Sequence, residues 1–270
     1  MGIGSQLLQI SGSTALLTGA TGGIGQAIAR ALHGAGARLT LTGRRSDVLE
    51  QLAGELDARA LVVDLSEVAE LERLVADVGE IDILVANAAL PASGTLESFS
   101  VAEIDRALDV NLRAPIVLAH DLVPAMVKRG RGHLLFMSSL AGKAYTPRTA
   151  IYNATKFGLR GFAGALRADL RDSGVGVSCV FPGFISEAGM FADAEVKLPR
   201  GVGTRPPEAV AMAVIDAIER NRGEVDVAPL QLRAGTLFAA FAPELAGAVA
   251  RRLGSDDISR QMHEGQSDKR

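Results

Sequence analysis

At 270 residues, 48% of them hydrophobic and with no break in composition, the chain is sized for one large α/β domain with a substantial core. Its net charge of −3 makes no electrostatic case for nucleic acid, and the single cysteine, Cys179, excludes an intramolecular disulfide or a cysteine-cluster metal site. Four histidines (His33, His120, His133, His263) stand without ligand spacing, no basic stretch followed by an apolar core opens the chain, and no apolar run reaches the roughly 18 residues of a spanning helix, so a cytoplasmic protein is expected.

Strand-like and helix-like stretches alternate throughout. Ser13 to Thr18 reads as a first strand, followed by the glycine-rich turn Gly19 to Gly25 and an amphipathic helix to about Gly34. Arg38–Thr42, Ala60–Val63 and Ile81–Ala86 read as further strands, with helical patterns through Val48–Leu56 and around Leu71–Val75 between them. A long helical pattern covers Val101 to Lys128, where Pro115 is expected to bend it. His133 to Met137 is a buried strand, and a helix from near Ala150 to about Asp172 follows. Val175–Phe181 is a sixth strand closed by Pro182-Gly183, Glu208–Arg220 is helical, and Glu224–Val227 is a short last strand. Apolar strands in strict alternation with helices predict a parallel sheet covered on both faces.

Two stretches carry chemistry. Tyr152 and Lys156, four apart, lie on one face of their helix, and Ser139 at the end of the preceding strand can be brought opposite the tyrosine. A phenol with an ordinary pKa of about 10 is a poor base, and a neighbouring lysine cation favours its ionised form. The hydroxyl of Ser139 would hold a substrate oxygen. Such a group suits proton transfer coupled to hydride transfer at a carbonyl or alcohol carbon, although a tyrosine packed on a core helix beside a solvated lysine gives the same spacing. The second stretch is the turn Gly19, Gly23, Gly25 after the first strand. It places glycines and a helix N-terminus where a pyrophosphate could sit, against the plainer reading of a tight turn that binds nothing.

Taken together these motifs resemble the short-chain dehydrogenase/reductase family. Thr18-Gly19-Ala20-Thr21-Gly22-Gly23-Ile24-Gly25 is similar to its cofactor motif, Asp64-Leu65 to its adenine contact, and Asn87-Ala88-Ala89 to its N-A-G motif with Ala89 for glycine. Asn111 matches its proton-relay asparagine; Ser139, thirteen residues before Tyr152, matches its serine, and Pro182-Gly183 its turn beside nicotinamide. The resemblance spans roughly Ser11 to Val227. It implies a Rossmann-type, doubly wound, seven-stranded sheet over 1–228, a lid at about 184–206, and homodimers or homotetramers. It also implies a catalytic set of Asn111, Ser139, Tyr152 and Lys156, with Tyr152 as acid/base and Lys156 steadying the cofactor ribose.

After the second strand stands Thr42-Gly43-Arg44-Arg45, with no acid before Asp47. An acid there would suit a ribose 2′-hydroxyl and a base a 2′-phosphate, so Arg44 and Arg45 favour NADP(H) over NAD(H). Many NADP-binding relatives add a basic residue where this chain has Gly22. Another departure is Glu187, standing where relatives have a threonine that holds the nicotinamide carboxamide; Ile185 keeps the apolar place beside the ring. The lid mixes Phe184, Ile185, Met190, Phe191, Val196 and Leu198 with glycines, pointing to an apolar substrate.

Beyond the resemblance, 229–270 reads as an extension. Pro229 to Leu253 is apolar and helical, and it is expected to close the substrate pocket or a subunit contact, with weak membrane association the minority outcome. The polar tail after Gly254 is expected to be disordered. The function expected is an NADP(H)-dependent oxidoreductase interconverting a ketone or aldehyde and an alcohol. Alternatives are a non-catalytic nucleotide-binding sensor or scaffold, or a dehydratase or epimerase with a retained cofactor.

Overall fold

The apolar runs form seven strands: β1 (Thr14–Leu17), β2 (Arg38–Gly43), β3 (Arg59–Val62), β4 (Ile83–Ala86), β5 (Gly132–Met137), β6 (Val175–Pro182) and β7 (Glu224–Val227). All neighbours are parallel, in the order β3-β2-β1-β4-β5-β6-β7. These come from a computed structural model that describes residues 8–266 other than 188, 195, 197, 199–201 and 253. Successive side chains on a strand point to opposite faces. Leu17, Val85 and Leu135 therefore pack under α1 (Gly23–Gly34), α2 (Ser46–Glu55) and α8 (Pro207–Glu219), while Leu16, Leu84 and Leu134 pack under α3 (Val68–Val78), α5 (Ala114–Arg129) and α6 (Ala150–Asp169). The chain reverses direction across the sheet between β1 and β4, which opens a crevice at their carboxyl ends.

The long helix expected over Val101 to Lys128 breaks earlier than Pro115. α4 (Val101–Leu108) passes into a π-helical turn, Asp109–Arg113, in which the Ala114 N–H bonds the Asp109 carbonyl five residues back. Pro115 has no N–H to offer Asn111, so it sits in the first turn of α5 instead of bending a continuous helix. The stretch Val101–Arg129 is long and apolar enough by length and composition to cross a membrane, contrary to the expectation that no run reaches that length. Its Ala114, Leu118, Ala119, Leu122 and Met126 are committed to the sheet.

Inside the sheet, β5 buries a titratable group. His133 is 1% exposed, its Nε2 lies 2.9 Å from the Ser178 hydroxyl, and burial with nearby Arg167 pulls its pKa down to about 3. The folded protein keeps this imidazole neutral, whereas an unfolded one gains a proton below about 6.5. Stability is expected to fall as pH drops from about 6.5 toward 3, by up to about 1.4 kcal/mol per pH unit from this group. Urea midpoints at neutral and mildly acid pH check it: the loss should be smaller in His133→Gln.

After β7 the chain adds α9 (Leu230–Phe241), α10 (Pro243–Arg252) and α11 (Ser255–Glu264). Leu232, Phe238, Ala246 and Val249 of α9 and α10 line a cavity, Phe238 and Val249 staying partly open to solvent; Leu230, Leu237, Phe241 and Leu245 are exposed outside it. Leu253 lies outside the described residues. Of the tail expected to be disordered, Ser255–Glu264 is helical, and 267–270 lie outside the described residues. Gly254, left-handed at φ +88°, turns the chain, and Asp256 and Asp257 suit the helix N-terminus. Ile258 and Met262 then face the cavity, which gives this polar segment something to pack on.

Candidate active site

The turn after β1 is held by its own backbone contacts. Gly19 has φ +66°, and a Cβ there would lie 2.7 Å from the Ala88 Cα; at Gly25 it would lie 2.2 Å from the Gly19 carbonyl oxygen. Two of the motif glycines are thus required by close packing of turn, helix and β4. The Thr18 hydroxyl accepts from the N–H groups of Asn87 and Ala88, both at 3.1 Å, while the Asn87 amide donates to the Thr18 and Gly19 carbonyls. Gly22 caps α1 with no side-chain cap, and the first turn carries no acid, so the helix's leading N–H groups are left for an anion. Thr21, Gly23 and Ile24 line the same cavity, as does Ala89 in the place of the family's glycine.

Arg44 and Arg45, equivalent in sequence, differ in space. The Arg45 guanidinium donates to the Thr21 carbonyl and so braces the turn. Arg44 stays half exposed at the cavity wall, 3.9 Å from the Asp64 carboxylate. Asp64 in turn accepts from the Ser66 N–H and hydroxyl and pairs with Arg106 at 3.0 Å. Burial pushes its carboxyl up, but these hydrogen bonds and the two guanidiniums outweigh it and hold the group below the usual range. Leu65, buried beside it, completes that wall.

Ser139, Tyr152 and Lys156 meet at the carboxyl ends of β5 and β6. Ser139, which ends the extended run after β5, is the hydrogen-bond partner of the Tyr152 hydroxyl and also reaches the Pro182 carbonyl at 3.4 Å. Tyr152 is half-buried and lines the cavity; burial raises the phenol to about 12 despite Ser139. Lys156 is 1% exposed, donates to the Met137 carbonyl at 2.9 Å, and lies 5.6 Å from the Tyr152 ring centre. The same burial pulls its ammonium down to about 8. The lowering expected from Lys156 is not among the effects on the phenol here: burial raises it and the Ser139 hydrogen bond lowers it.

Asn111 occupies the π-helical turn, fully buried. Its side-chain oxygen accepts from the Leu90 N–H at 2.6 Å and its amide donates to the Leu90 carbonyl at 2.9 Å. With one bond at its oxygen and one at its nitrogen, the Asn111 side chain clamps the loop after β4. Pro182 and Gly183 close β6, with the Gly183 N–H on the Val227 carbonyl at 3.0 Å. Ile185 is buried and bridged to Arg205, and Glu187 is exposed at φ +65°. The Phe184 and Phe191 rings meet at 4.9 Å over the cavity, and Gly189 packs on Ile24.

The motifs did not point to two residues that shape this centre. Asn153, next to Tyr152 and buried, donates to the carbonyls of Ala141 and Ala144 and so holds the Ser139 loop against α6. Its signal was an amide on the helix face one residue from the tyrosine. Gln266, in the tail, also lines the cavity.

The turn glycines, Arg44, Asp64, Ser139, Tyr152, Lys156 and residues of α9–α11 border one cavity of about 1050 Å³. The uncapped helix end, the close-packed glycines and the charged wall fit a dinucleotide from pyrophosphate to ribose. The Lys156, Tyr152, Ser139 and Pro182 end fits its reactive ring.

Comparison with known proteins agrees. A sequence profile of short chain dehydrogenases matches residues 13–198. The chain is 37% identical over 227 residues to the ketoacyl reductase HetN of Nostoc sp., covering 81% of this chain and 79% of that protein. Among solved structures, a short-chain dehydrogenase from Sphingobium yanoikuyae in complex with NADPH is 27% identical with a TM-score of 0.75, over 87% of this chain and 95% of that one. A 3-ketoacyl-(acyl-carrier-protein) reductase from Brucella melitensis complexed with NADH is 26% identical with a TM-score of 0.72, over 81% and 97%. With the profile covering more than half of its length and the ketoacyl reductase relative agreeing, the chain belongs to the short chain dehydrogenase family and is an NAD(P)-dependent oxidoreductase.

Proposed function

We propose that the enzyme reduces a ketone on an apolar, extended substrate, with NADP(H) preferred. The observation that carries this is the convergence of Ser139, Tyr152 and Lys156 where the dinucleotide cradle meets the apolar cavity under α9 and α10. When bound, the reduced nicotinamide supplies the hydride. The Ser139 hydroxyl donates to the carbonyl oxygen and orients it. The Tyr152 hydroxyl, held at about 12, keeps its proton at neutral pH and delivers it to the far more basic oxygen that develops on reduction. The Lys156 ammonium then stabilises the phenolate left behind.

The preference for NADP(H) rests on Arg44, a half-exposed guanidinium at the ribose end with no acid beside it on its own loop. The names of the ketoacyl reductases above support a ketone, and a thioester-linked β-ketoacyl group is one substrate class to try. The test is NADPH oxidation with a panel of β-ketoacyl thioesters and aliphatic, aromatic and steroid ketones. Turnover on at least one apolar class, faster with NADPH than NADH, is expected. No oxidation with any ketone in the panel would leave the sensor or dehydratase readings in its place.

A further inference from the structure

The far wall of the cavity is built by α11. Ser255, Ile258, Ser259, Met262 and Gln266 line it, and their spacing of three and four places them on one stripe about 16 Å long. The stripe is tied to both sides of the cleft. The His263 Nδ1 lies 3.0 Å from the Ser93 carbonyl in the loop after β4. The Gln266 Nε2 donates to the Met190 carbonyl at 3.0 Å, at the start of the short lid helix α7 (Met190–Asp193). Gly265 approaches that helix so closely that a Cβ would lie 2.6 Å from the Ala194 Cα.

On this mixed stripe two polar atoms are buried without a hydrogen-bond partner among the described residues: the Ser255 hydroxyl and the Gln266 Oε1. Gln266 is 1% exposed. A carbonyl can only accept, so the bond to Met190 fixes which end of the Gln266 amide is nitrogen and leaves the oxygen unmatched. A buried acceptor in that state destabilises the fold unless a ligand supplies a donor. We propose that Gln266 recognises a hydrogen-bond donor on the distal part of an otherwise apolar substrate. A hydroxyl or amide N–H fits the unmatched oxygen, whereas a carboxylate there would meet it lone pair to lone pair. This rests on the ketone-reductase reading for the near end of the cavity and adds the chemistry of the far end.

The test is calorimetric titration of the NADPH-loaded protein with a homologous series of 1-alkanols and the matching α,ω-alkanediols. At the chain length that spans the cavity, the diol should bind about tenfold more tightly than the alkanol, the factor expected of one added buried hydrogen bond. Gln266→Met, which keeps the volume, should remove that advantage and leave alkanol affinity within about twofold, an outcome that loosened packing would not give. If that variant fails to fold, Gln266→Leu is the second substitution, with the same loss of the diol's advantage expected. Equal affinity of diol and alkanol at every length, or no binding of either, overturns the proposal. Discrimination between them in a protein that oxidises no NADPH with any ketone would sustain it and remove the ketone-reductase reading instead.

Discussion

Tyr152→Phe is expected to lower kcat by about 10²- to 10⁴-fold, the range for loss of a positioned proton donor, while leaving NADPH affinity and the melting temperature nearly unchanged. The ring borders the cavity and Phe retains it; only the hydroxyl opposite Ser139 is lost. That hydroxyl is the one group here that both carries a transferable proton near neutral pH and has a cation behind it to stabilise its ionised form. Steady-state rates on the substrate identified by the panel, beside direct titration with NADPH, check the split. A variant that turns over at near the parent rate would move the proton donor elsewhere, Ser139 or a bound water being the next candidates.

Arg44→Asp is expected to shift the ratio of kcat/KM for NADPH over NADH by about 10²-fold toward NADH, through a lost charge-assisted contact and a new repulsion. Arg44 reaches Asp64 only at 3.9 Å, while Arg106 holds that carboxylate at 3.0 Å, so removing Arg44 does not orphan it. Arg45 makes the control. Its guanidinium is bound to the Thr21 carbonyl, so Arg45→Asp should weaken both cofactors together by loosening the turn. An unchanged cofactor ratio in Arg44→Asp would place the phosphate contact at another residue.

The two arginines show where sequence reading stops. Their charge and position after β2 were visible, but which one faces the cofactor depends on a bond from Arg45 to a carbonyl 24 residues earlier. The strands and most helices were legible because apolar runs and helical periods act locally, and the spacing of Ser139, Tyr152 and Lys156 survives folding because one strand and one helix carry it. The π-helical turn was not legible. It depends on Asn111 finding Leu90 as well as on Pro115 lacking an N–H. Nor was α11, a polar segment whose order comes from contacts with Ser93 and Met190. The high pKa of Tyr152 reflects surrounding protein that no spacing encodes.

The ties at His263 and Gln266 also bear on the timing of the cycle. A substrate lying along α11 sits beside a segment fastened to Ser93 on one side and to Met190 on the other, so a product that leaves past α11 needs at least one fastening to open. That opening involves no transfer of hydrogen. Deuterium on the transferring carbon of the cofactor is therefore expected to slow the first turnover fully and the steady state much less, with the two effects converging once the His263 fastening is cut.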